Sequence, residues 1–160
     1  MASVFNLRDV RDWTKDASCT PTALAALTGK TPQEIGVLLA EIAAEDGRVI
    51  GPELRQDYAP KDWLKAVNRL GGDWAVKDDF RSTPFADRPT INEWMAANSG
   101  VEPELVICDD DNGIAHVFAT DDGYVVDTYT EGRRVRFTAV DPEYEFLRVK
   151  YSILVEPLAE

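Results

Sequence analysis

Three residues of this 160-residue chain have the types and the spacing that nucleophilic acyl transfer requires. Cys19 supplies a thiol, His116 is the only histidine, and Asp127 is a carboxylate in an otherwise apolar stretch. In such chemistry a thiolate attacks a carbonyl carbon, an imidazole takes and returns the proton, and a carboxylate fixes the imidazole tautomer. If Cys19 has a base, that base must be His116.

The segment around Cys19 predicts a short helix within residues 16–29, DASCTPTALAALTG. Ser18 or Thr20 fits as N-cap, a proline suits the first turn, and Gly29 suits the left-handed position after the last turn. The interior is alanine and leucine, which are strong helix formers. A cysteine at the start of a helix meets the positive end of the dipole and free N–H groups, which favour its thiolate.

His116 and Asp127 fall on two predicted strands, residues 114–120 and 124–129, which a tight turn connects. A loop with an even number of residues places both side chains on one face of the sheet. A four-residue loop pairs His116 directly with Asp127. A two-residue loop pairs His116 with Tyr129 and leaves Asp127 one diagonal step away. Asp127 needs a partner in either case, because an unpaired buried carboxylate is costly.

The remaining pattern predicts an α+β domain over residues 1–160, helical to about residue 100 and an antiparallel sheet over about 104–155. The helices follow a short helical turn within residues 1–15. Their predicted spans are Thr31 (in a capping box) to about Glu45, Pro60 to Gly71, and a short helix after a capping box at Thr90. Residues 73–88 are predicted to be irregular, with one short strand. The strands of the sheet are predicted at 105–108, 114–120, 124–129, 133–139 and 146–155.

Composition excludes several classes of function. The net charge of −12 and the pI near 4.5 argue against nucleic acid and against anionic membranes, because phosphate binding needs a basic surface. No segment reaches the roughly 20 apolar residues of a membrane span. The first residues lack the apolar run of a secretory signal, so we expect a reducing, cytoplasmic setting, which is the host cytoplasm if a phage encodes the protein.

Metal and cofactor chemistry are not expected. Two cysteines and one histidine cannot complete a four-ligand zinc site without carboxylates, and neither CxxC nor HxxxH spacing occurs. Cys108 lies in an apolar strand, where no helix dipole lowers its pKa, and is predicted to be a core residue.

The order of a helix that begins with cysteine, a strand with histidine and a next strand with aspartate resembles the papain-like cysteine peptidase superfamily. Residues 16–29 and residues 116–127, HVFATDDGYVVD, carry the resemblance. It is closest in character to small bacterial and phage members, near the NlpC/P60-like, C39-like and transglutaminase-like groups. The resemblance implies an N-terminal helical lobe packed on an antiparallel sheet.

The resemblance also implies roles for the three residues. Cys19 would be the nucleophile, His116 the general base and acid, and Asp127 the orienting residue. The substrate would be a peptide or another acyl donor with an amide, isopeptide or thioester bond. Such enzymes commonly carry a glutamine before the cysteine, whereas this chain has Trp13-Thr14-Lys15-Asp16. The expected oxyanion donors are therefore the Cys19 N–H and either the Trp13 indole or the Thr14 hydroxyl.

Two other interpretations of the same residues stay open. In the first, the chain has a catalytically inactive papain-like fold and serves as a phage or bacterial binding or structural accessory protein. In the second, it is an unrelated α+β domain in which the cysteine and the histidine are core residues.

Overall fold

A computed structural model of the chain describes residues 5–51, 53–97, 101–137 and 142–158. Within these ranges the helices come first and an antiparallel sheet fills the C-terminal part, as the α+β prediction requires. The helices are α1 (Cys19–Thr28), α2 (Pro32–Glu45), α3 (Pro60–Arg69) and α4 (Ile91–Ala96). The strands are β1 (Gly72–Asp79), β2 (Glu104–Asp109), β3 (Ala115–Asp121), β4 (Tyr124–Val126), β5 (Val135–Arg136) and β6 (Arg148–Pro157).

The six strands form one sheet in the order β1-β6-β2-β3-β4-β5, and every neighbouring pair is antiparallel. The last strand in sequence, β6, therefore lies between β1 and β2. Strand β1 comes from the segment predicted to be irregular with one short strand, and it is eight residues long. Most of its side chains are exposed, and this explains its weak apolar pattern.

Helix α1 is almost wholly buried between the sheet and the other helices, and it packs mainly on β3. Its alanines allow the close approach, because they leave little side-chain volume between helix and sheet. Ser18 occupies the N-cap position with extended backbone, but its hydroxyl donates to the Gln56 carbonyl at 3.2 Å and does not cap the helix. Gly29 takes the predicted left-handed conformation, with φ of +77°, and its N–H donates to the Ala25 carbonyl.

The other helices begin where the sequence predicts. Thr31 and Glu34 form both bonds of the capping box that starts α2, and the same reciprocal bonds start α4. Helix α3 begins at Pro60, and its buried Asp62 pairs with Arg48 at 2.6 Å. Local sequence signals thus fix the starts of these helices.

The sheet carries an apolar core on each face. The larger core lies under α1, α2 and α3 and includes alternate residues of β3, Val117 and Ala119. The smaller core lies on the opposite face, where α4 packs with Phe118 and Tyr144. His116 and Phe118 alternate with Val117 along β3, so the histidine belongs to the face of the smaller core.

Several predicted spans differ from the observed ones. Strand β4 ends at Val126, three residues before the predicted end at Tyr129. Of the strand predicted at 133–139, residues 135–136 pair in the sheet, and residues 138–139 lie outside the described ranges. The predicted strand at 146–155 is shifted to Arg148–Pro157. Residues 5–15 contain turns and no helix, so the predicted helical turn is wrong over that range.

Candidate active site

The β3–β4 hairpin determines where His116 and Asp127 lie. Asp121 pairs with Tyr124 across a two-residue loop, Asp122-Gly123, in which both φ angles are positive as in a type I′ turn. Continued beyond its last observed pair, this register places His116 opposite Tyr129 and Asp127 one diagonal step away. The structure therefore has the second of the two predicted registers.

Strand β4 stops just before Asp127, and this opens the edge of β3. The chain turns back at this point, because the N–H groups of Thr130 and Gly132 both donate to the Asp127 carbonyl. In a two-residue hairpin the two residues that flank the loop, here Asp121 and Tyr124, hydrogen-bond to each other. Every second residue of β3 counted back from Asp121, and therefore Val117, directs its backbone N–H and C=O groups toward β4. With β4 ended, the Val117 N–H has no strand partner on that side.

The Cys19 thiol fills the position that β4 leaves vacant. It lies at the first residue of α1, close enough to the Val117 N–H and to the His116 ring for both groups to lower the pKa of its sulfur. Burial acts to raise the pKa of the thiol. The hydrogen bond and the charge of His116 act in the opposite direction, together with the Val117 N–H, and the pKa of Cys19 lies below its ordinary value.

His116 lies between the thiol and a carboxylate. Its Nε2 is 2.7 Å from Oδ1 and 2.9 Å from Oδ2 of Asp127, which leaves Nδ1 for the thiol. Burial acts to lower the pKa of His116, but the Asp127 charge and the bonds to Asp127 and Cys19 outweigh it and raise this pKa to about 10. The arrangement favours the charged form of both groups, an imidazolium beside a thiolate.

Asp127 is 1% exposed, so protein groups take the place of water around its carboxylate. Oδ1 accepts the Thr128 N–H at 2.6 Å and the Thr128 hydroxyl at 3.2 Å. Oδ2 accepts the Tyr144 hydroxyl at 2.7 Å. These donors satisfy the buried carboxylate that the sequence identified as needing a partner.

Two tyrosines that the sequence analysis did not identify as site residues complete the surroundings of His116. Tyr129 stacks on the imidazole, with ring centroids 4.6 Å apart and planes at 18°. Tyr144 meets the edge of Tyr129 at 5.7 Å and packs against Phe118 at 5.2 Å. The hairpin register could have identified Tyr129 as a site residue, because a two-residue loop places Tyr129 directly across from His116. No local pattern relates Tyr144 to this hairpin.

An open cleft of about 440 Å³ borders the thiol. The N-terminus of α1 and the segment that leads into α3 form one wall, and the β2–β3 turn forms the other. Its apolar lining includes Tyr58, Trp63 and Tyr151, while the exposed Asp57 and Ile114 lie at its rim. A substrate can therefore reach Cys19 from solvent along a mostly apolar surface.

The structure does not bring Trp13 or Thr14 to this cleft. The Trp13 indole N–H donates to Thr22 Oγ1 at 3.1 Å, and Thr14 lines another cavity together with Asp16. The Cys19 N–H, in contrast, lies at the first helical position, which has no acceptor within a helix. Of the three expected oxyanion donors, the Cys19 N–H is the one that lies beside the thiol.

Cys108 is buried in the smaller core, as predicted, and burial raises its pKa well above the ordinary value. Its thiol donates to the His116 carbonyl at 3.4 Å. Among the described residues, no group of three or more histidine, cysteine, aspartate or glutamate side chains could hold a metal ion. In the same part of the chain, no helix has the length and apolar character needed to cross a membrane.

The chain was also compared with known proteins. No model of a protein family matches it, and a search of curated proteins finds no significant relative.

Proposed function

We propose that this protein is a papain-like thiol hydrolase that acts on an amide, isopeptide or thioester bond. The observation that carries the proposal is the continuous line of contacts from the Cys19 thiol through the His116 ring to the Asp127 carboxylate. The α+β fold, in which the cysteine begins a helix packed on an antiparallel sheet, also supports it.

In the proposed reaction, the Cys19 thiolate attacks the carbonyl carbon of the substrate and forms a carbon–sulfur bond. The carbonyl π electrons move to oxygen, and the Cys19 N–H donates to the resulting oxyanion. The imidazolium of His116 then protonates the leaving group through Nδ1, and the bond between carbonyl carbon and leaving group breaks. The products are a thioester on Cys19 and a neutral imidazole.

The second half of the reaction releases the acyl group. Neutral His116 takes a proton from water, or from an amine acceptor, as that nucleophile attacks the thioester carbon. The carbon–sulfur bond breaks, and Cys19 leaves as a thiolate beside the reformed imidazolium. Asp127 holds Nε2 throughout, which orients Nδ1 toward the sulfur and stabilises the positive ring.

The cleft limits what the acyl group can be. Its lining beside Cys19 is mostly aromatic and aliphatic, so an acyl group with apolar side chains fits it best. Asp57 at the rim favours a substrate that is neutral or positively charged at that point.

The first test of the proposal measures thiol reactivity. We expect iodoacetamide at pH 7 to alkylate Cys19 at least about 100-fold faster than buried Cys108, since each pKa unit changes the thiolate fraction about tenfold. His116→Ala should slow the alkylation of Cys19 by about tenfold or more. Mass spectrometry of the two cysteine peptides gives both rates, and Cys108 serves as the internal control. Equal Cys19 rates in the wild-type protein and in His116→Ala would contradict the proposal.

The second test looks for the covalent intermediate. The protein is mixed with a series of acyl thioesters and activated peptide esters and is then quenched in acid. The intact mass should increase by the mass of the acyl group, and the Cys19→Ala protein should show no increase. If Cys19 of the wild-type protein is alkylated rapidly but never carries an acyl group, the result would count against acyl transfer.

One observation favours a second candidate, an inactive papain-like fold that acts as a phage or bacterial binding or structural protein. The indole N–H of Trp13 is engaged by Thr22, and the side-chain amide of Gln56, which lines the cleft, donates to the carbonyls of Gly51 and Glu53. In that case Cys19→Ala would leave the biological function intact, whereas changes to the acidic surface would abolish it. The thioester test separates the two candidates.

A further inference from the structure

The carboxylate of Asp127 has donors from two different parts of the chain. Thr128, its neighbour in sequence, supplies two bonds to Oδ1. Oδ2 instead accepts the hydroxyl of Tyr144, which belongs to a short turn of 3-10 helix at Pro142–Tyr144, after β5 in the sequence. The Thr128 bonds hold Oδ1 in place. They do not fix the position of Oδ2, so the orientation of the carboxylate also depends on the donor to Oδ2.

Tyr144 is well placed to fix that rotation. Its side chain is 2% exposed, and its ring packs against Phe118 at 5.2 Å and Phe137 at 5.8 Å. A ring packed on several sides has little freedom, so its hydroxyl is held in one place before the carboxylate meets it. The bond of 2.7 Å to an anionic acceptor is of the short, charge-assisted kind.

The same ring also supports the imidazole. Tyr144 contacts the edge of Tyr129 at 5.7 Å, and Tyr129 stacks on His116 at 4.6 Å. Tyr144 thus touches the carboxylate through its hydroxyl and supports the histidine through a second aromatic ring. These are separate contacts, and a change to phenylalanine removes only the first.

We propose that Tyr144 is a positioning residue of the thiol–imidazole site, whose hydroxyl aims the Asp127 carboxylate at Nε2 of His116. This inference rests on the proposed function, because positioning has a catalytic meaning only if Cys19 reacts. Without the hydroxyl, Oδ2 is left in a buried site with His116 as its remaining partner. The carboxylate then turns from the ring part of the time, and the Nε2–H bond opens more often.

The test uses Tyr144→Phe, with Tyr124→Phe as the matched control. Tyr124 lies on β4, and its hydroxyl accepts a hydrogen bond from Arg136 at 3.1 Å. Tyr124→Phe removes the same kind of phenolic oxygen as Tyr144→Phe, but one that does not bond to the Asp127 carboxylate. The chain has a single histidine, so the Nε2–H proton of His116 can be assigned without ambiguity in a nitrogen-15 spectrum. Its exchange rate with water reports directly on the bond to Asp127.

We expect Tyr144→Phe to speed the exchange of the Nε2–H proton by about tenfold or more and to slow iodoacetamide alkylation of Cys19 by a similar factor. Tyr124→Phe should change neither rate by more than about twofold. An unchanged exchange rate in Tyr144→Phe overturns the inference, whatever happens to alkylation. If wild-type Cys19 is unreactive, the proposed function fails, but the exchange measurement still decides the role of Tyr144.

A second variant guards against loss of the fold in Tyr144→Phe. Incorporation of 3-fluorotyrosine at position 144 keeps the hydroxyl and makes it a stronger donor. The phenol then draws more charge from the carboxylate, the bond from Nε2–H weakens, and its proton resonance moves upfield. A resonance that stays in place contradicts the inference.

Discussion

Replacing Asp127 by asparagine should lower the pKa of His116 to near neutrality, so that the ring loses much of its positive charge at pH 7. The amide has nearly the shape of the carboxylate, so it fits the same buried site. The Thr128 N–H, now 2.6 Å from Oδ1, will keep the amide oxygen in that position. That oxygen stays next to Nε2, now 2.7 Å away, so the substitution removes a negative charge and preserves the geometry.

The size of the effect follows from the two opposing influences on His116. Burial lowers its pKa, and Asp127 supplies the largest of the influences that raise it to about 10. Opposite charges about 4 Å apart attract by about 4 kcal/mol at an effective dielectric constant of about 20. At about 1.4 kcal/mol for each pKa unit, losing that attraction lowers the pKa of His116 by about three. Burial is already included in the starting value, so the expected pKa is about 7, close to the ordinary 6.5.

A ring that has lost much of its positive charge stabilises the thiolate less, so the pKa of Cys19 should rise in Asp127→Asn. At pH 7 its alkylation by iodoacetamide should fall by at least about tenfold, since each pKa unit costs about tenfold in thiolate. The titration of His116 is measured by NMR and the alkylation by mass spectrometry. Asp121→Asn, on the same strand β3, is the control and should leave both unchanged. If His116 in Asp127→Asn still titrates near its wild-type value, the charge of Asp127 is not what raises the pKa of the ring.

Two further predictions concern stability. In Cys19→Ser, which removes the coupled thiol, Asp127 still raises the pKa of His116. The raised pKa contributes stability that is complete below about 6.5 and is lost as the pH rises through the pKa of the folded state. The free energy of urea unfolding should therefore fall as the pH rises above about 6.5, and His116→Gln should remove this slope. Gly132→Ala should destabilise the protein more than Gly47→Ala. Both glycines have φ near +75°, but the new methyl group at position 132 would lie 2.7 Å from Trp13, whereas position 47 has open space. Thermal unfolding should show a difference of about 1–3 kcal/mol, and equal losses would refute the steric argument.

Local sequence signals predicted the helical part of the fold well. The capping boxes at Thr31 and Thr90 specify their helix starts through bonds between residues three apart. Pro60 and Gly29 act through their own backbone preferences. Such signals need no knowledge of the rest of the chain, and for this reason the predicted starts agree with the structure.

The sheet depended more on distant contacts. The parity argument allowed two loop lengths, and the Asp-Gly turn decided between them through its positive φ angles. The early end of β4 at Val126 comes from a local turn, in which the N–H groups of Thr130 and Gly132 donate to the Asp127 carbonyl, whereas the sequence pattern predicted a strand that continues to Tyr129. Strand β1 lacked an apolar pattern because most of its side chains are exposed, and its strand partner among the described residues is β6, the last in sequence.

The residues of the candidate site could be predicted because histidine and cysteine are rare in this chain. A single histidine left one choice of base for Cys19, and a lone aspartate in an apolar strand required a partner. Tyr144 gave no signal, because it lies 17 residues from Asp127 in the sequence and no local pattern connects the two. Trp13 was one of the expected oxyanion donors, but its indole N–H donates to Thr22 instead. Sequence spacing could not predict this hydrogen bond.

The gap at the edge of β3 has a consequence for the chain during its synthesis. Cys19 emerges early, whereas the Val117 amide and the His116 ring that depress its pKa come late in the sequence. Until the hairpin has closed beside the helix, the sulfur is an ordinary thiol that reacts slowly at neutral pH. The lowered pKa of Cys19 is thus a property of the completed fold, and a nascent or unfolded chain lacks it.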